Sequence, residues 1–126
     1  SFGLLDMSWH SEDPSNISDV GTHEENAVVS VRLLPKIEGA ISSTSFGHIF
    51  SGGYSAGYYS YKWAEVLDAD AFEFFKEKGI FNKEVANLYK TNILEKGGSE
   101  HPMKLYKQFR GHEPKVDALL RRSGLL

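Results

Sequence analysis

The chain has 126 residues with a formal net charge of −3, which is enough for one compact domain and too few for two. Hydrophobic residues make up 40% of it and charged residues 25%, a balance that argues against disorder, and no apolar run is long enough to span a membrane. The chain has no Cys, which excludes disulfides and Cys-ligated zinc and is compatible with a reducing compartment. We therefore expect a cytoplasmic location, with the periplasm as the alternative.

The two ends of the chain carry opposite charge. Residues 1–35 hold six acids and one base, a net charge of −5, whereas residues 103–122 hold six bases and two acids, a net charge of +4. A basic tail can bind nucleic acid, but the bases here are dispersed and the whole chain is acidic. We therefore favour a solvated helix face, or one that meets acidic residues, and expect neither a nucleic-acid nor a membrane partner.

The N-terminal third predicts two helices. Apolar residues recur at helical spacing from residue 2 to residue 9, so the chain is expected to begin inside a helix, as a fragment or a processed product does. A polar loop at 11–21 follows. Thr22 is predicted to cap the second helix, with Glu25 completing a capping box, and Pro35 is predicted to end it.

The longest helix is predicted in the middle of the chain. After a loop at 36–47, a helix should run from about Gly53 to Lys78 and end before Gly79. Asn82 is predicted to cap the helix that follows, which should end at the glycine pair 97–98.

Two short helices are predicted near the C-terminus. Pro102 stands where the first residue of a helix is expected, and Gly111 breaks that pattern. Pro114 is predicted to open a last helix that Gly124 closes. The fold class is therefore all-α, with about six helices around one longer helix and no convincing strand.

Glycine and tyrosine are concentrated just before the predicted long helix. The adjacent Gly52 and Gly53 indicate a mobile loop, or a backbone that another group approaches closely. Tyr54, Tyr58 and Tyr61 follow at helical spacing and would share one helix face. Phenols are strong donors that stay neutral at pH 7, so these three could hold a peptide backbone or an oxyanion. The alternative is an aromatic stripe buried as core, although a buried tyrosine needs a partner for its hydroxyl.

Several stretches together resemble one known family. They are Leu5–His10, Phe46–Phe72, Gly79–Asn82, Gly97–Glu100, Phe109–Gly111, Glu113–Pro114 and Ala118–Leu120. This set resembles the thimet oligopeptidase family of zinc metallopeptidases, which includes oligopeptidase A and the peptidyl-dipeptidases, and it is most similar to the oligopeptidase A branch. The resemblance covers nearly the whole chain.

The resemblance implies a fold and a set of roles. Residues 1–126 would form a single helical segment in the C-terminal part of a larger helical zincin-type catalytic domain. The family's substrate-binding residues correspond here to His48, Gly52, Gly53, Tyr54 and Tyr58, and its transition-state donor corresponds to Tyr61. The glycine pair would form a flexible loop that closes on bound peptide.

The zinc motif of that family, H-E-x-x-H on one helix with a later Glu, is not found in these residues. His23 and Glu24 begin like the motif, but Ala27 stands where the second His belongs. We expect His23 to be a surface residue beside a helix N-terminus, and His10 and His112 to be structural or exposed. The prediction is that this fragment contains no metal ligand and binds no cofactor, and that zinc belongs to the full-length enzyme.

The expected function is therefore the substrate-binding and transition-state-stabilising part of an oligopeptidase A-like zinc metallopeptidase that hydrolyses short peptides. Its expected partners are short peptide substrates and the remainder of the peptidase chain, and the fragment alone is predicted to be inactive. Faces that meet that remainder should be apolar, so the isolated fragment is expected to self-associate. The alternatives are a peptidyl-dipeptidase of the same family and a non-catalytic helical interaction module.

Overall fold

The computed structural model describes residues 1–126, and all of its regular elements are helical. The α-helices are α1 (Phe2–Ser11), α2 (Val20–Val28), α3 (Gly47–Phe50), α4 (Ser60–Lys78), α5 (Lys83–Tyr89), α6 (Pro102–Arg110) and α7 (Asp117–Arg122). Three 3-10 turns at Pro14–Asn16, Val29–Val31 and Ser42–Ser45 and one π-helical turn at Lys90–Leu94 complete the set. The predicted all-α class is confirmed. No helix combines the length and apolarity that crossing a membrane requires.

Contacts divide the chain into two compact units, Ser1–Tyr61 and Lys62–Leu126. Whether both act as one segment of a catalytic domain stays a prediction. In the first unit α1 packs against α2. Its apolar interior is built on Leu5, Val28 and Ile49, which are almost completely buried.

Helix α2 begins three residues earlier than a cap at Thr22 would allow. The side chain of Asp19 accepts a hydrogen bond from the backbone N–H of Thr22 at 2.7 Å, so Asp19 is the N-cap and the predicted cap was wrong. Glu25 makes ion pairs with Arg32 and, at 3.3 Å, with Lys36 instead of closing a capping box. The helix ends at Val28.

The segment predicted as a loop at 36–47 contains an ordered 3-10 turn that α2 holds in place. The carboxylate of Glu24 accepts hydrogen bonds from the backbone N–H of Ser42 at 3.0 Å and of Ser43 at 2.7 Å. Burial alone would raise the pKa of Glu24, but these hydrogen bonds outweigh it and lower the pKa. The indole N–H of Trp9 also donates to the Ser43 hydroxyl at 2.9 Å, so α1 contacts the same turn.

The second unit has an aromatic core between α4, α5 and α6. Its centre is Phe109, which is 2% exposed and lies with its ring centroid 5.5 Å from Phe74 and 5.3 Å from Tyr89. The predictions that Asn82 caps α5 and that Pro102 opens α6 are confirmed, whereas the last helix begins at Asp117 and not at Pro114 as predicted. The Asn82 side chain accepts from the second residue of α5, Glu84, at 2.9 Å, and Pro102 opens α6.

The basic C-terminal residues of this unit pair with acids of α4. Arg121 donates to Glu73 at 3.0 Å, and Arg122 donates to Asp68 at 2.5 Å. Arg110 contacts Glu77 at 2.8 Å. The positive charge of residues 103–122 is therefore largely engaged within the unit itself.

Candidate functional site

The segment before α4 is a series of turns and not the start of a helix, so the prediction that the long helix begins near Gly53 was wrong. Gly53 and Ala56 both have positive φ angles, of 79° and 53°, which a right-handed helix cannot include. The backbone N–H of Tyr54 donates to the His48 carbonyl at 3.2 Å, and that of Gly57 donates to the Tyr54 carbonyl at 2.9 Å. The regular helix starts only at Ser60.

The turns nevertheless bring the three predicted phenols together. The ring centroids of Tyr54 and Tyr61 lie 5.3 Å apart in a stacked arrangement, and those of Tyr58 and Tyr61 lie 5.1 Å apart. The third pair, Tyr54 and Tyr58, is separated by 6.4 Å. We call these three residues the phenol cluster. The His48 ring borders it, at 5.8 Å from Tyr54 and 6.1 Å from Tyr58.

The phenol cluster is open to solvent. Tyr61 is 43% exposed, Tyr54 and Tyr58 are half-buried, and His48 is exposed. The alternative of an aromatic stripe buried as core is therefore wrong for these residues. The interaction of its hydroxyl with the Tyr54 side chain raises the pKa of Tyr61 above its ordinary value, so that Tyr61 remains a neutral donor at physiological pH.

Glycine is required at positions 52 and 53 for two different structural reasons. A Cβ atom at Gly52 would lie 2.9 Å from the Cα of His48 and 3.0 Å from its carbonyl oxygen, so only glycine allows the chain to pass so close to α3. Gly53 has open space around it and requires glycine through its positive φ. The close approach that the glycine pair predicted is thus made at Gly52, by the backbone of α3.

Asp6 is a site residue that the sequence analysis missed. Its carboxylate is fully buried and accepts hydrogen bonds from the backbone N–H of Ala56 at 2.9 Å and of Tyr58 at 2.8 Å. The His10 Nδ1 atom lies 2.9 Å from the same carboxylate. Asp6 lies in one of the stretches that carry the family resemblance, but sequence spacing gave no sign of contacts 50 and 52 residues away.

Two phenylalanine rings contact Tyr58 of the phenol cluster. The Phe46 ring is 5.0 Å from the Tyr58 ring, and the Phe2 ring is 6.1 Å from it, both edge-on. The two phenylalanine rings also contact each other at 5.2 Å. Edge-to-face pairs of this kind restrict ring orientation. Tyr58 is therefore held from one side by apolar rings and along its backbone by Asp6.

Three histidines outside the cluster, His10, His23 and His112, have contacts within the fold. His23, predicted to be a surface residue, is 8% exposed because α2 packs against α1, so that prediction was wrong. Its Nε2 atom lies 2.9 Å from the Ser8 hydroxyl and its ring 4.2 Å from Trp9. His10 binds Asp6 as described, and His112 lies on the surface with its ring nitrogen 2.6 Å from a backbone carbonyl.

The residues of this chain do not fit a zinc site. Nowhere in residues 1–126 do three His, Asp or Glu side chains converge in a way that could hold a metal ion. His23, the one histidine that begins like a zinc motif, has its Nε2 atom engaged by Ser8.

The sequence of this chain is similar to those of known peptidases. The family model described as Peptidase family M3 matches residues 1–125. Oligopeptidase A of Escherichia coli (strain K12) is 46% identical over 125 residues, and that of Haemophilus influenzae is 44% identical over 126 residues. Dipeptidyl carboxypeptidase of E. coli is 40% identical over 127 residues.

These matches cover 98–99% of this chain but only 18–19% of each relative, so the chain spans about a fifth of the length of the curated relatives it matches. The matched ranges therefore extend over both units of this chain. The resemblance to the thimet oligopeptidase family is therefore confirmed, and this chain belongs to peptidase family M3, a family of metallopeptidases.

Proposed function

We propose that this chain is the substrate-binding and transition-state-stabilising part of a zinc metallopeptidase that hydrolyses short peptides. The observation that carries the proposal is the solvent-accessible phenol cluster beside the Gly52–Gly53 turn. Neutral phenols donate hydrogen bonds to peptide carbonyls without the desolvation cost of a charged group. The relatives named oligopeptidase A support a peptide substrate, and the zinc and the general base would come from an H-E-x-x-H motif outside residues 1–126.

Tyr61 is the proposed catalytic residue. It is the most accessible phenol of the cluster and stands in the first turn of α4, where the regular helix fixes its backbone. When water attacks a peptide carbonyl, the oxygen becomes an oxyanion, and a phenol aimed at it is worth about 3–4 kcal/mol of transition-state stabilisation. Tyr54, Tyr58 and His48 would bind the peptide on either side of that carbonyl.

The test is the Tyr61→Phe substitution in the enzyme that contains this chain. Because it removes one hydroxyl and keeps the ring, we expect kcat to fall by roughly 10²- to 10³-fold while the thermal unfolding midpoint stays within about a degree. Tyr59→Phe is the matched control, since Tyr59 is 58% exposed and its ring is outside the cluster. An unchanged kcat in Tyr61→Phe would assign Tyr61 to packing.

A dipeptidyl carboxypeptidase activity is the second candidate, because one relative at 40% identity carries that name. The two modes differ in where the peptide is cut. Mass spectrometry of products from a peptide with a free C-terminus, and from the same peptide amidated, would separate them. Loss of all cleavage on amidation would favour removal of C-terminal dipeptides, and internal cleavage of the amidated peptide would favour an oligopeptidase.

Alone, the 126-residue chain is proposed to be inactive and to need the remainder of the peptidase chain as its partner. Supporting this, Leu33 and Phe81 are 96% and 95% exposed, which is typical of side chains that another surface covers. Zinc calorimetry with a quenched-fluorescent peptide assay tests the inactivity, and stoichiometric zinc binding or turnover by this chain would contradict it. Light scattering would show whether the isolated chain self-associates. The cytoplasmic location stays a prediction.

A further inference from the structure

The turn that carries the phenol cluster depends on one buried carboxylate. The backbone N–H groups of residues 54, 57 and 60 are satisfied by carbonyls within the segment or in α3. Those of Ala56 and Tyr58 are instead satisfied by Asp6, one by each carboxylate oxygen, at 2.9 and 2.8 Å. Asp6 thus provides the only hydrogen bonds to these two backbone donors.

The conformation that Asp6 holds is one that the local sequence does not favour. Ala56 has φ of 53°, and it is the one non-glycine residue of the chain with positive φ. A left-handed alanine persists only where surrounding contacts determine it. The N–H groups of Ala56 and Tyr58 donate to the same carboxylate, so this turn forms a small anion-binding concavity, which Asp6 fills.

The carboxylate is itself held in place by its own helix. His10, one helical turn further along α1, places Nδ1 2.9 Å from the Asp6 carboxylate and 2.8 Å from the Asp6 carbonyl oxygen. Asp6 has no exposed surface, so solvent does not compete for its oxygens. Asp6 is therefore an acceptor in a fixed position that both backbone donors meet.

We infer that Asp6 is a positioning residue for the phenol cluster, which fixes the turn at 54–58 so that Tyr58 and Tyr61 converge before substrate binds. Tyr58 is anchored directly through its own N–H. Tyr61 is positioned indirectly, through Tyr58, because the Tyr61 N–H donates to the Tyr58 carbonyl at 3.3 Å. The catalytic consequence of this inference rests on the function proposed above, whereas the anchoring of the turn does not.

The first experiment measures the anchor without reference to activity. In the Asp6→Asn enzyme the amide keeps one acceptor and turns an NH₂ group toward the second N–H donor, so one anchor is lost at almost constant volume. We expect hydrogen exchange, followed by mass spectrometry, to be at least about tenfold faster in peptides covering 54–59 and unchanged in peptides of the second unit. Unchanged exchange in 54–59 would overturn the inference.

The second experiment asks whether Asp6 acts through Tyr61. Asp6→Asn should lower kcat by about tenfold or more, with a smaller change in KM, because a displaced donor is lost mainly from the transition state. In a Tyr61→Phe background the same change should lower kcat less than twofold, since the donor is already absent. Val28→Ala, in the interior of the same unit, is the control for a loss of stability alone and should leave kcat unchanged.

The outcomes separate this inference from the proposed function. Equal fold losses for Asp6→Asn with and without Tyr61 would overturn the positioning role, as would a fall in kcat for Val28→Ala that matches that of Asp6→Asn. An unchanged kcat for Tyr61→Phe would overturn the proposed role of Tyr61, and the exchange measurement alone would then decide whether Asp6 anchors the turn.

Discussion

Helices α4 and α6 share a buried hydrogen bond between Tyr106 and Asp70. Removing either partner should lower the free energy of unfolding, by a different amount for each. The Tyr106 hydroxyl donates to the Asp70 carboxylate at 2.7 Å, and both residues are almost fully buried. Burial and this hydrogen bond raise the pKa of Tyr106, so it keeps its proton and remains a donor. The Nε atom of Arg110 lies 3.5 Å from the same carboxylate.

The expected loss of unfolding free energy depends on which buried polar groups each substitution leaves without a hydrogen-bond partner. Tyr106→Phe removes one hydrogen bond to a charged acceptor and should cost about 1.5–3 kcal/mol of unfolding free energy. Asp70→Ala leaves the Tyr106 hydroxyl without its short hydrogen bond and removes one of the two carboxylates beside Arg110. It should therefore cost more, about 3–5 kcal/mol, near the lower end because Glu77 still pairs with Arg110.

Urea denaturation of the single and double variants, followed by circular dichroism, tests the reasoning. Once Asp70 is gone, the Tyr106 hydroxyl keeps only a long contact of 3.4 Å to the Leu67 carbonyl, so its removal costs little and the double variant should be about 1–2 kcal/mol more stable than additivity predicts. The exposed Tyr59→Phe control should change the free energy of unfolding by less than about 0.5 kcal/mol. Strict additivity, or a neutral Tyr106→Phe, would refute the assignment of this contact as a buried, charge-assisted hydrogen bond.

Two further predictions concern the first unit and its glycines. The pKa of Glu24 is lowered in the folded state from 4.5, so its hydrogen bonds to the 42–45 turn stabilise the fold fully above pH 4.5 and are lost as the pH falls through the lowered value. Glu24→Gln should thus reduce stability at pH 7 and flatten the acid limb of the stability curve; parallel curves would contradict this. Gly52→Ala should destabilise by about 1–3 kcal/mol, because its Cβ meets the His48 backbone, whereas Gly98→Ala should be almost neutral in the same urea titration.

The parts of the fold that could be predicted are those whose cause is local. The Asn82 cap and the N-terminal proline of α6 each act within one helical turn, and sequence places them correctly. The cap predicted at Thr22 was wrong: Thr and Asp can both cap a helix, and the N-cap is Asp19. The burial of His23 follows from packing of α2 against α1, which no local pattern shows.

The site could be predicted in its membership but not in its geometry. The spacing of Tyr54, Tyr58 and Tyr61 suggested a helix face, and the three do meet, but they do so through turns. The positive φ of Ala56 is what breaks the helix, and alanine is among the residues least expected to adopt it. The cause lies in Asp6, which is too distant in sequence for any periodicity to show.

The residues of the site are close together in sequence, but the contacts that arrange them are not. This limits how small a piece of the chain can reproduce the site. Residues 48–61 contain every side chain proposed to contact a substrate, yet two of the hydrogen bonds that arrange them come from a helix 50 residues earlier. Bringing Asp6 to residues 56 and 58 costs loop-closure entropy. Folding of the whole first unit, through α1, α2 and the turn that Glu24 holds, offsets that cost. A short peptide with the sequence of 48–61 would carry the right functional groups in an unrestricted ensemble. The proposed functional groups thus come from one short stretch of sequence, whereas their preorganised arrangement depends on the tertiary structure of the first unit.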